Sequence, residues 1–598
     1  MKKIAILILA FLSIQTFAQK DKRFEGLDKE FQKVLSEWKA AGFAVAVVEK
    51  DKVIYADGFG YQDIANKVPV STNTQFAIGS CSKAFTAALL GLLRKDDKVD
   101  FDKPVRNYLP QLMFQTDELN NHVTLRDMMS HRTGLPRHDF SWYLFPSHSK
   151  DSLIERIKYL EPSAGLREKW QYNNFMYLAA GRVTEQITGK SWEENIREKI
   201  FLPLGMTQSN VSLKEWVNFP NAATGYDVKK DTIHKMDYYD IAAMSPAGSI
   251  NSTVNDMSKW MITWINNGKY NGKEILPASY INEAISSQMV MNGALPTEQT
   301  PDVFFANYGF GWMTSSYRGH YRVEHGGNID GFSASTCLFP SDSIGIVVLC
   351  NQNGSSVPAV VRNILADRVL GLQRKDWQST LKSAYDKAQK AEKEAEANEV
   401  SNQAQGTKPS HKLPDYEGNF NNKGYGTVEI SSKNDSLFAK IGTRNLWLSH
   451  FHYDVFQPLE ITKNEGIDTS NRDWPKMTFG MSEAGEINRI SIGFEPTLKP
   501  IIFNRIPKII QLATDSLQQF VGEYDISGVT IKIYRKGKDG LAMSVPGQQE
   551  YELQPVQDDL FTIKDLSGFK VQFIKNEKNE VTELLSIQPN GTFKAKRK

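Results

Sequence analysis

Residues 75–93 read QFAIGSCSKAFTAALLGLL, and the way this stretch divides decides the fold of the N-terminal half. Gln75 to Ile78 is a short strand-like piece and Gly79 is a break. Beyond it Phe85, Ala88, Leu89, Leu92 and Leu93 recur at the i, i+3, i+4, i+7, i+8 spacing of a buried helical face. Ser80 therefore stands at a helix N-terminus, where free peptide N–H groups and the macrodipole favour developing negative charge. Lys83 follows one turn later on the same face, so its amine can reach the Ser80 hydroxyl. A serine hydroxyl is a weak nucleophile at neutral pH and needs an adjacent base. A lysine serves when burial depresses its pKa, and an Ala/Leu-rich helix supplies that burial. The tetrapeptide alone carries little, because Ser-x-x-Lys recurs at Ser36/Lys39, Ser147/Lys150, Ser379/Lys382 and Ser567/Lys570, and a serine here could be a plain N-cap. The copy at Ser80 differs in context: a glycine before it, and after it a buried helix on which a purely structural lysine would be costly.

Working outward, residues 42–49 (GFAVAVVE) and 53–60 (VIYADGFG) flank Lys50-Asp51-Lys52 as a hairpin. Helical periodicity dominates 84–205. Strands return at 321–325, 332–339 and 344–350, followed by a helix at 357–370. The short turns between these strands imply antiparallel pairing. The fold class expected is an α/β catalytic domain over 19–375, an antiparallel sheet flanked by helices with a large helical insertion. Residues 376–412, rich in Ala, Lys, Glu and Gln, read as a charged helical linker. Two all-β barrel-like modules are expected at 413–507 and 514–598, because Tyr416-Glu417-Gly418-Asn419-Phe420 is echoed by Phe520-Val521-Gly522-Glu523-Tyr524 ahead of alternating strands.

The 598 residues suggest three or four domains, and 40% hydrophobic with 23% charged residues is ordinary globular composition. Met1-Lys2-Lys3, the apolar run Ile4–Leu12 and Thr16-Phe17-Ala18 read as a signal peptide over 1–18, so the expected location is periplasmic or secreted. Its removal takes away two lysines and no acid, and the formal +2 becomes zero. No nucleic-acid partner is expected of such a surface, and no membrane span follows residue 18. Cys81, Cys337 and Cys350 are too few for a disulfide scaffold and read as free buried thiols. His450 and His452 alternate on a strand without a third ligand nearby, and His131 and His138 lack a metalloprotease spacing, so no metal or other cofactor is expected.

FAIGSCSKAFTAALL resembles the nucleophile segment of the class C β-lactamase, penicillin-binding-protein, D-aminopeptidase and esterase family of serine hydrolases. The likeness continues in order through TLRDMMSHRTGLP (124–136), YNNFMYLAAGRVTEQITGKSW (172–192), PLGM (203–206), PAGSINSTVNDMSKW (246–260), YGFGW (308–312) and HGGNIDGF (325–332). It implies Ser80 as nucleophile, Lys83 as base, and Tyr172 as a proton-shuttling phenol in a Tyr-x-Asn box, with Asn174 contributing a substrate-binding amide. A tyrosine beside a lysine cation has its pKa lowered, which suits that task. His325, Gly326 and Gly327 match the cleft-wall box as substrate-binding residues, with the oxyanion hole formed by the backbone N–H groups of Ser80 and Asn328. Tyr280-Ile281-Asn282, a second Tyr-x-Asn, lies in a polar stretch and reads as surface. True β-lactamases of the family carry Lys-Thr-Gly at the third box. The neutral His325 and hydroxyl-free Gly326 argue against a dedicated β-lactamase and for a peptidase or esterase. The modules after residue 413 resemble lipocalin-like appendages of these hydrolases. The resemblance implies acyl-enzyme hydrolysis of D-amino-acid peptides, peptidoglycan fragments or small esters, with cell-wall fragments among the partners it suggests. A penicillin-binding sensor with little turnover, a wall-binding protein and a true β-lactamase are the alternatives. Loops 137–170 and 285–306 are expected to govern substrate choice, and oligomeric state is not legible.

Overall fold

The computed structural model describes residues 21–598 apart from 230, 294, 298–300, 463–465, 470–471 and 567; the leader read over 1–18 lies outside the described residues. The chain divides into two compact units. One comprises the chain up to Gly134, His148–Glu155 and Ala164–Lys390; the other gathers Leu135–Ser147, Arg156–Ser163 and Ala391–Lys598.

The first unit is built on one antiparallel sheet of nine strands: β1 (Gly42–Glu49), β2 (Lys52–Asp63), β3 (Val68–Pro69), β4 (Met289–Asn292), β5 (Ala306–Tyr308), β6 (Met313–Tyr317), β7 (His320–Ile329), β8 (Phe332–Phe339) and β9 (Ile344–Cys350). Their spatial order is β4-β5-β6-β7-β8-β9-β1-β2-β3. The expected hairpin is β1–β2. The expected strand at 321–325 is longer than its sequence signal, because Gly326 and Gly327 stay extended and pair with Ser335 and Ala334 of β8. The helices that matter here are α1 (Leu27–Trp38), α2 (Ser82–Lys95), α3 (Asn174–Thr188), α4 (Val254–Ile265), α5 (Val357–Val369) and α6 (Trp377–Ser401).

Strands β8 and β9 are buried along their whole length; β9 accordingly reads as a continuous apolar run, whereas β8 buries the hydroxyls of Ser333, Ser335 and Thr336 among its apolar residues. One face carries Phe43, Val45, Val47, Cys337, Phe339, Ile346 and Val348 against Phe31 and Val34 of α1 and Val360 and Ile364 of α5. Each such side chain contributes about 1.5–3 kcal/mol of transfer free energy. On the other face Gly345 lies against Met261 of α4, where an added Cβ would come within 3.2 Å of the Met261 Cβ. All three cysteines are free and buried. The register sets Cys337 opposite Ile346 and Cys350 opposite Ser333, so the two are not cross-strand neighbours. Tyr280 corrects the surface reading given to it: it is 1% exposed. It packs where Gly91 of α2 leaves room, since an added Cβ there would meet its ring at 2.5 Å.

The second unit contains two eight-stranded antiparallel barrels. In the first, strands within 418–506 follow one another by pairing, and the pairing of Arg444–His452 with Val455–Thr462 closes the ring. The second, within 522–597, closes through Gly522–Ile526 and Gly591–Arg597. The echoed sequences occupy equivalent places. Tyr416 and Phe520 each end a 3₁₀ turn and are fully buried. Gly418 and Gly522 open the first strand of each barrel, and each faces an arginine of the last strand: an added Cβ would stand 2.8 Å from Arg505 Nε and 3.0 Å from Arg597 Nε. Each arginine also lies over the aromatic ring of that first strand, Phe420 at 5.6 Å and Tyr524 at 6.0 Å. Residues 135–147 and 156–163 fold with the first barrel. His138 Nε2–H donates to Glu161 O (2.9 Å) and Nδ1 accepts from Tyr425 OH (2.8 Å), while the Phe145 ring stacks on Phe503 at 5.8 Å. Helix α6 is the solvated helix expected over the linker, exposed throughout residues 383–395.

Candidate active site

Phe76–Ala77 pair with Asn251–Ser252, and Ile78 N–H donates to Ile250 O at 3.0 Å. The chain then turns through Gly79 at φ +50° into a single 3₁₀ turn, Gly79–Cys81, from which α2 continues. Glycine is needed there twice over: L side chains rarely adopt that φ, and a Cβ would stand 2.8 Å from Asn328 N. Ser80 is half-buried at this turn, with one side open to solvent. Cys81 beside it faces inward, its thiol donating to His325 O at 3.2 Å, and burial pushes its pKa up to about 11.

Lys83 is fully buried on α2. Its Nζ lies 3.0 Å from Ser80 Oγ, 2.7 Å from Asn174 Oδ1 and 2.8 Å from Ala247 O. The last two oxygens can only accept, whereas the Ser80 hydroxyl can donate or accept. The amine donates to all three oxygens as it stands, and on losing a proton it can keep Asn174 and Ala247 as acceptors while its lone pair faces the Ser80 hydroxyl. Adjacent asparagines divide the work that places this contact. Asn173 caps α3 by accepting from Met176 N–H (3.1 Å), and Asn174, at the first helical position, turns its amide to Lys83. The Ala247 carbonyl is held by its neighbour Pro246, whose oxygen accepts from Thr86 Oγ1 at 2.6 Å. Pro246 in turn packs on α3 where Gly181 has no side chain; a Cβ there would meet Pro246 Cγ at 2.3 Å.

The Lys83 nitrogen stands over two phenol rings, 4.8 Å from the centroid of Tyr172 and 5.4 Å from that of Tyr177. Tyr172 is half-buried and Tyr177 fully so. His131, a residue the sequence did not mark as part of the site, packs its buried ring against Tyr172 at 4.4 Å. Its Nδ1 accepts from Asn173 N–H at 3.1 Å, which fixes the neutral tautomer in this arrangement. Asp127 frames the loop that carries His131. It caps the helix before it through Thr124 and binds Arg132 Nε (2.6 Å) and Arg167 Nε (2.9 Å). Burial opposes its ionisation, yet the two guanidinium groups hold its carboxyl below the usual range.

Strand β7 forms the opposite wall. His325 is 2% exposed, its ring 5.8 Å from that of Tyr308 and 6.2 Å from that of Tyr172. Nδ1–H donates to Gly326 O at 2.6 Å, so Nε2 is the acceptor and Tyr308 OH donates to it at 2.9 Å. Burial first, and the Lys83 charge second, lower the His325 pKa to about 4. Burial also holds the Tyr308 phenol well above its usual range, which keeps its proton in place. Gly326 is exposed, and a Cβ there would meet only Ala334 O at 3.8 Å. Gly327 is closed in: a Cβ would stand 1.9 Å from Ile78 O and 3.2 Å from Ser80 N. The two glycines therefore bring the backbone at Asn328 against the backbone at 79–80. The peptide nitrogens of Ser80 and Asn328 border that contact.

Ser80, Lys83, Tyr172, Asn174 and the 325–328 stretch thus converge on one cleft. The other Ser-x-x-Lys lysines go elsewhere: Lys39 pairs with Asp231 at 2.7 Å, Lys150 with Glu185 at 2.8 Å and Lys570 with Glu486 at 3.3 Å, while Lys382 pairs with Asp386. Ser567 lies outside the described residues. His450 donates to Tyr453 O and His452 Nδ1 accepts from Ala404 N–H. Among the described residues no group of three or more His, Cys, Asp or Glu is placed to hold a metal, and no helix is long and apolar enough to cross a membrane.

A buried lysine beside a serine on a helix N-terminus, with a phenol opposite and a glycine-edged strand alongside, defines a class: serine hydrolases of the Ser-x-x-Lys type. Comparison with known proteins gives the family. A family model described as Beta-lactamase matches residues 27–370, more than half of the chain, and the chain belongs to that family. A second model, a domain of unknown function (DUF3471), matches residues 402–505. An unguisins hydrolase of Aspergillus campestris (strain IBT 28561) is 32% identical over 345 residues, covering 55% of this chain and 62% of that protein. A second unguisins hydrolase, from Aspergillus violaceofuscus (strain CBS 115571), is 28% identical over 520 residues, covering 79% and 88%. The chain thus spans less than two thirds of the first relative and most of the second. The octameric penicillin-binding protein homologue from Pyrococcus abyssi shares the fold, with a TM-score of 0.53 at 20% identity over 80% of this chain and 99% of that one.

Proposed function

We propose that the chain hydrolyses an amide or ester through an acyl-enzyme on Ser80. The observation that carries this is the 3.0 Å approach of a fully buried Lys83 amine to the Ser80 hydroxyl, with carbonyl oxygens taking its other two hydrogen bonds. In the first half-reaction Ser80 Oγ attacks the carbonyl carbon and its proton passes to Lys83. The carbonyl oxygen gathers charge against the Ser80 and Asn328 N–H groups, each such donor being worth about 3 kcal/mol in the transition state. Tyr172, beside the Lys83 amine, relays the proton to the departing amine or alcohol. Water then attacks the acyl-Ser80, its proton returns by the same route, and the acid leaves.

The substrates proposed are peptides, D-amino-acid peptides and peptidoglycan fragments included, and small esters, met outside the cytoplasm if the run at 4–12 directs export. The hydrolase names of the two Aspergillus relatives support turnover. A neutral His325 and a bare Gly326 offer no ammonium or hydroxyl to a drug carboxylate, which weighs against a dedicated β-lactamase. The test is fluorophosphonate labelling of wild type, Ser80→Ala and Tyr172→Phe, followed by a panel of D-peptides and esters. Labelling is expected to vanish in Ser80→Ala and to persist, slowed at least about tenfold, in Tyr172→Phe. Undiminished labelling of Ser80→Ala refutes the assignment, and one-equivalent acylation without turnover on any of the panel refutes hydrolysis.

A further inference from the structure

Tyr172 lies outside any helix or strand, unlike Ser80 and Lys83, which α2 and the turn before it place. Its two chain neighbours anchor it, and both anchors end on one residue. Gln171 N–H donates to His131 O at 2.8 Å, and Asn173 N–H donates to His131 Nδ1 at 3.1 Å. The His131 ring closes a third side, 4.4 Å from the Tyr172 ring and tilted 40° to it. That ring also lies 5.2 Å from Tyr177 and 4.8 Å from Tyr308, and it is 0% exposed, so dense packing holds it in place.

These contacts continue a series of bonds between two segments. Ala164 N–H donates to Gly134 O at 3.3 Å and Arg167 N–H to Arg132 O at 2.7 Å, while Asp127 binds both Arg132 and Arg167. Within the series His131 alone grips one residue from both sides, with its carbonyl on one and its side chain on the other. It does so at φ +57°, a left-handed conformation uncommon outside glycine and tolerated best by Asn, Asp and His. Backbone strain of this kind persists where the surroundings enforce it, and it gathers at working sites. A proton relay is sensitive to such placement, since a shift of about 1 Å can cost on the order of a hundredfold in rate. We propose that His131 is the positioning residue of the relay: its carbonyl and Nδ1 bracket Tyr172 and its ring backs the phenol, while His131 itself exchanges no proton. The proposal rests on the acyl-enzyme reading above, with Tyr172 passing the proton to the leaving group.

The test measures kcat/KM of the full chain on 4-nitrophenyl acetate and benzyl acetate, which share an acyl group. The 4-nitrophenolate departs without a proton, whereas the benzyl oxygen must receive one. Tyr172→Phe gives the signature of a lost relay, a fall at least about tenfold greater on benzyl acetate. His131→Leu is expected to show the same selective fall, and to add less than about threefold to it in the Tyr172→Phe background. A merely structural role would lower both esters alike and add in full. In His131→Asn the amide oxygen stands as many bonds from Cα as Nδ1 does, and asparagine accepts the left-handed φ. This variant is expected to keep the ratio of the two esters within about threefold of wild type, whereas His131→Gln, its oxygen one bond further out, follows His131→Leu. The Asn and Gln pair decides the matter if the leucine variant does not fold. Equal falls on both esters, full additivity, or a ratio in His131→Asn no nearer wild type than in His131→Gln overturns the proposal and leaves Ser80 as nucleophile. Tyr172→Phe without a selective fall removes the relay and the role of His131 with it, and absence of fluorophosphonate labelling at Ser80 removes the acyl-enzyme reading beneath both.

Discussion

Gly327→Ala is expected to disable catalysis without unfolding the protein. The added methyl would begin 1.9 Å from Ile78 O, a separation real Cβ contacts do not tolerate, and 3.2 Å from Ser80 N. Relief requires β7 and the nucleophile turn to part by more than about 1 Å, because both partners are backbone and neither can rotate away. Donors act on an oxyanion only within roughly 2.7–3.1 Å, so the movement takes at least one of the Ser80 and Asn328 N–H groups out of reach. Losing one donor costs about 2.7–4 kcal/mol, or 10²–10³ in kcat. Gly326→Ala is the internal control. Its methyl meets only Ala334 O at 3.8 Å, and Gly326 has no positive φ to strain. The assay is kcat on 4-nitrophenyl acetate, with thermal unfolding recorded alongside. A loss of at least about a hundredfold is expected for Gly327→Ala and less than about tenfold for Gly326→Ala. If Gly327→Ala keeps more than a tenth of wild-type kcat, or Gly326→Ala loses as much as Gly327→Ala, the close approach of these two backbones does not set the rate.

Two further outcomes concern pH. His325 has a folded pKa of about 4 against an ordinary 6.5, so the unfolded chain binds the proton more readily between those values. Its contribution is present above pH 6.5 and is lost as pH falls through 4, amounting to roughly 3 kcal/mol at full expression. Unfolding midpoints of His325→Gln are therefore expected to fall less steeply over that window than those of wild type, and equal slopes would count against the buried neutral ring. Glu495 of the first barrel is raised to about 7, by burial first and then by the Asp139 carboxylate. Here the folded state holds the proton more tightly, so stability is lost as pH rises from 4.5 through 7. Glu495→Gln is expected to melt higher than wild type at about pH 8 and no differently at about pH 4.5, and an equal midpoint at the higher pH would refute a buried, raised carboxyl.

The parts of the site that were legible in sequence are those whose chemistry is local. Ser80 and Lys83 lie one helical turn apart, so spacing and the apolar face of α2 place them together without reference to the rest of the chain. Tyr172, Asn174 and the 325–328 box came from ordered likeness to a family, since nothing in their spacing brings them to α2. His131 was passed over because its contact with Tyr172 bridges a long stretch of chain and leaves no periodic trace. The strand over His320–Ile329 was read short because two glycines carry no β signal, although their lack of side chains is what lets the strand meet the nucleophile turn. Tyr280 misled in the opposite direction: its neighbours are polar, and only the gap at Gly91 explains its burial. In the barrels the opening motifs were visible as an echo. The matching arginines, Arg505 and Arg597, escaped notice because each sits at the far end of its module and meets its glycine only on ring closure.

The tautomer locked into His325 has a consequence for inhibitor chemistry. With its proton committed to Gly326 and its lone pair to Tyr308, the β7 wall meets a ligand as neutral peptide edge throughout the physiological range. Compounds that draw their affinity from an anionic carboxylate gain no counter-ion from this ring, whereas uncharged boronates that become tetrahedral on Ser80 need only the peptide N–H groups already in place. Ranking such compounds by net charge, at fixed size, should therefore sort them by potency.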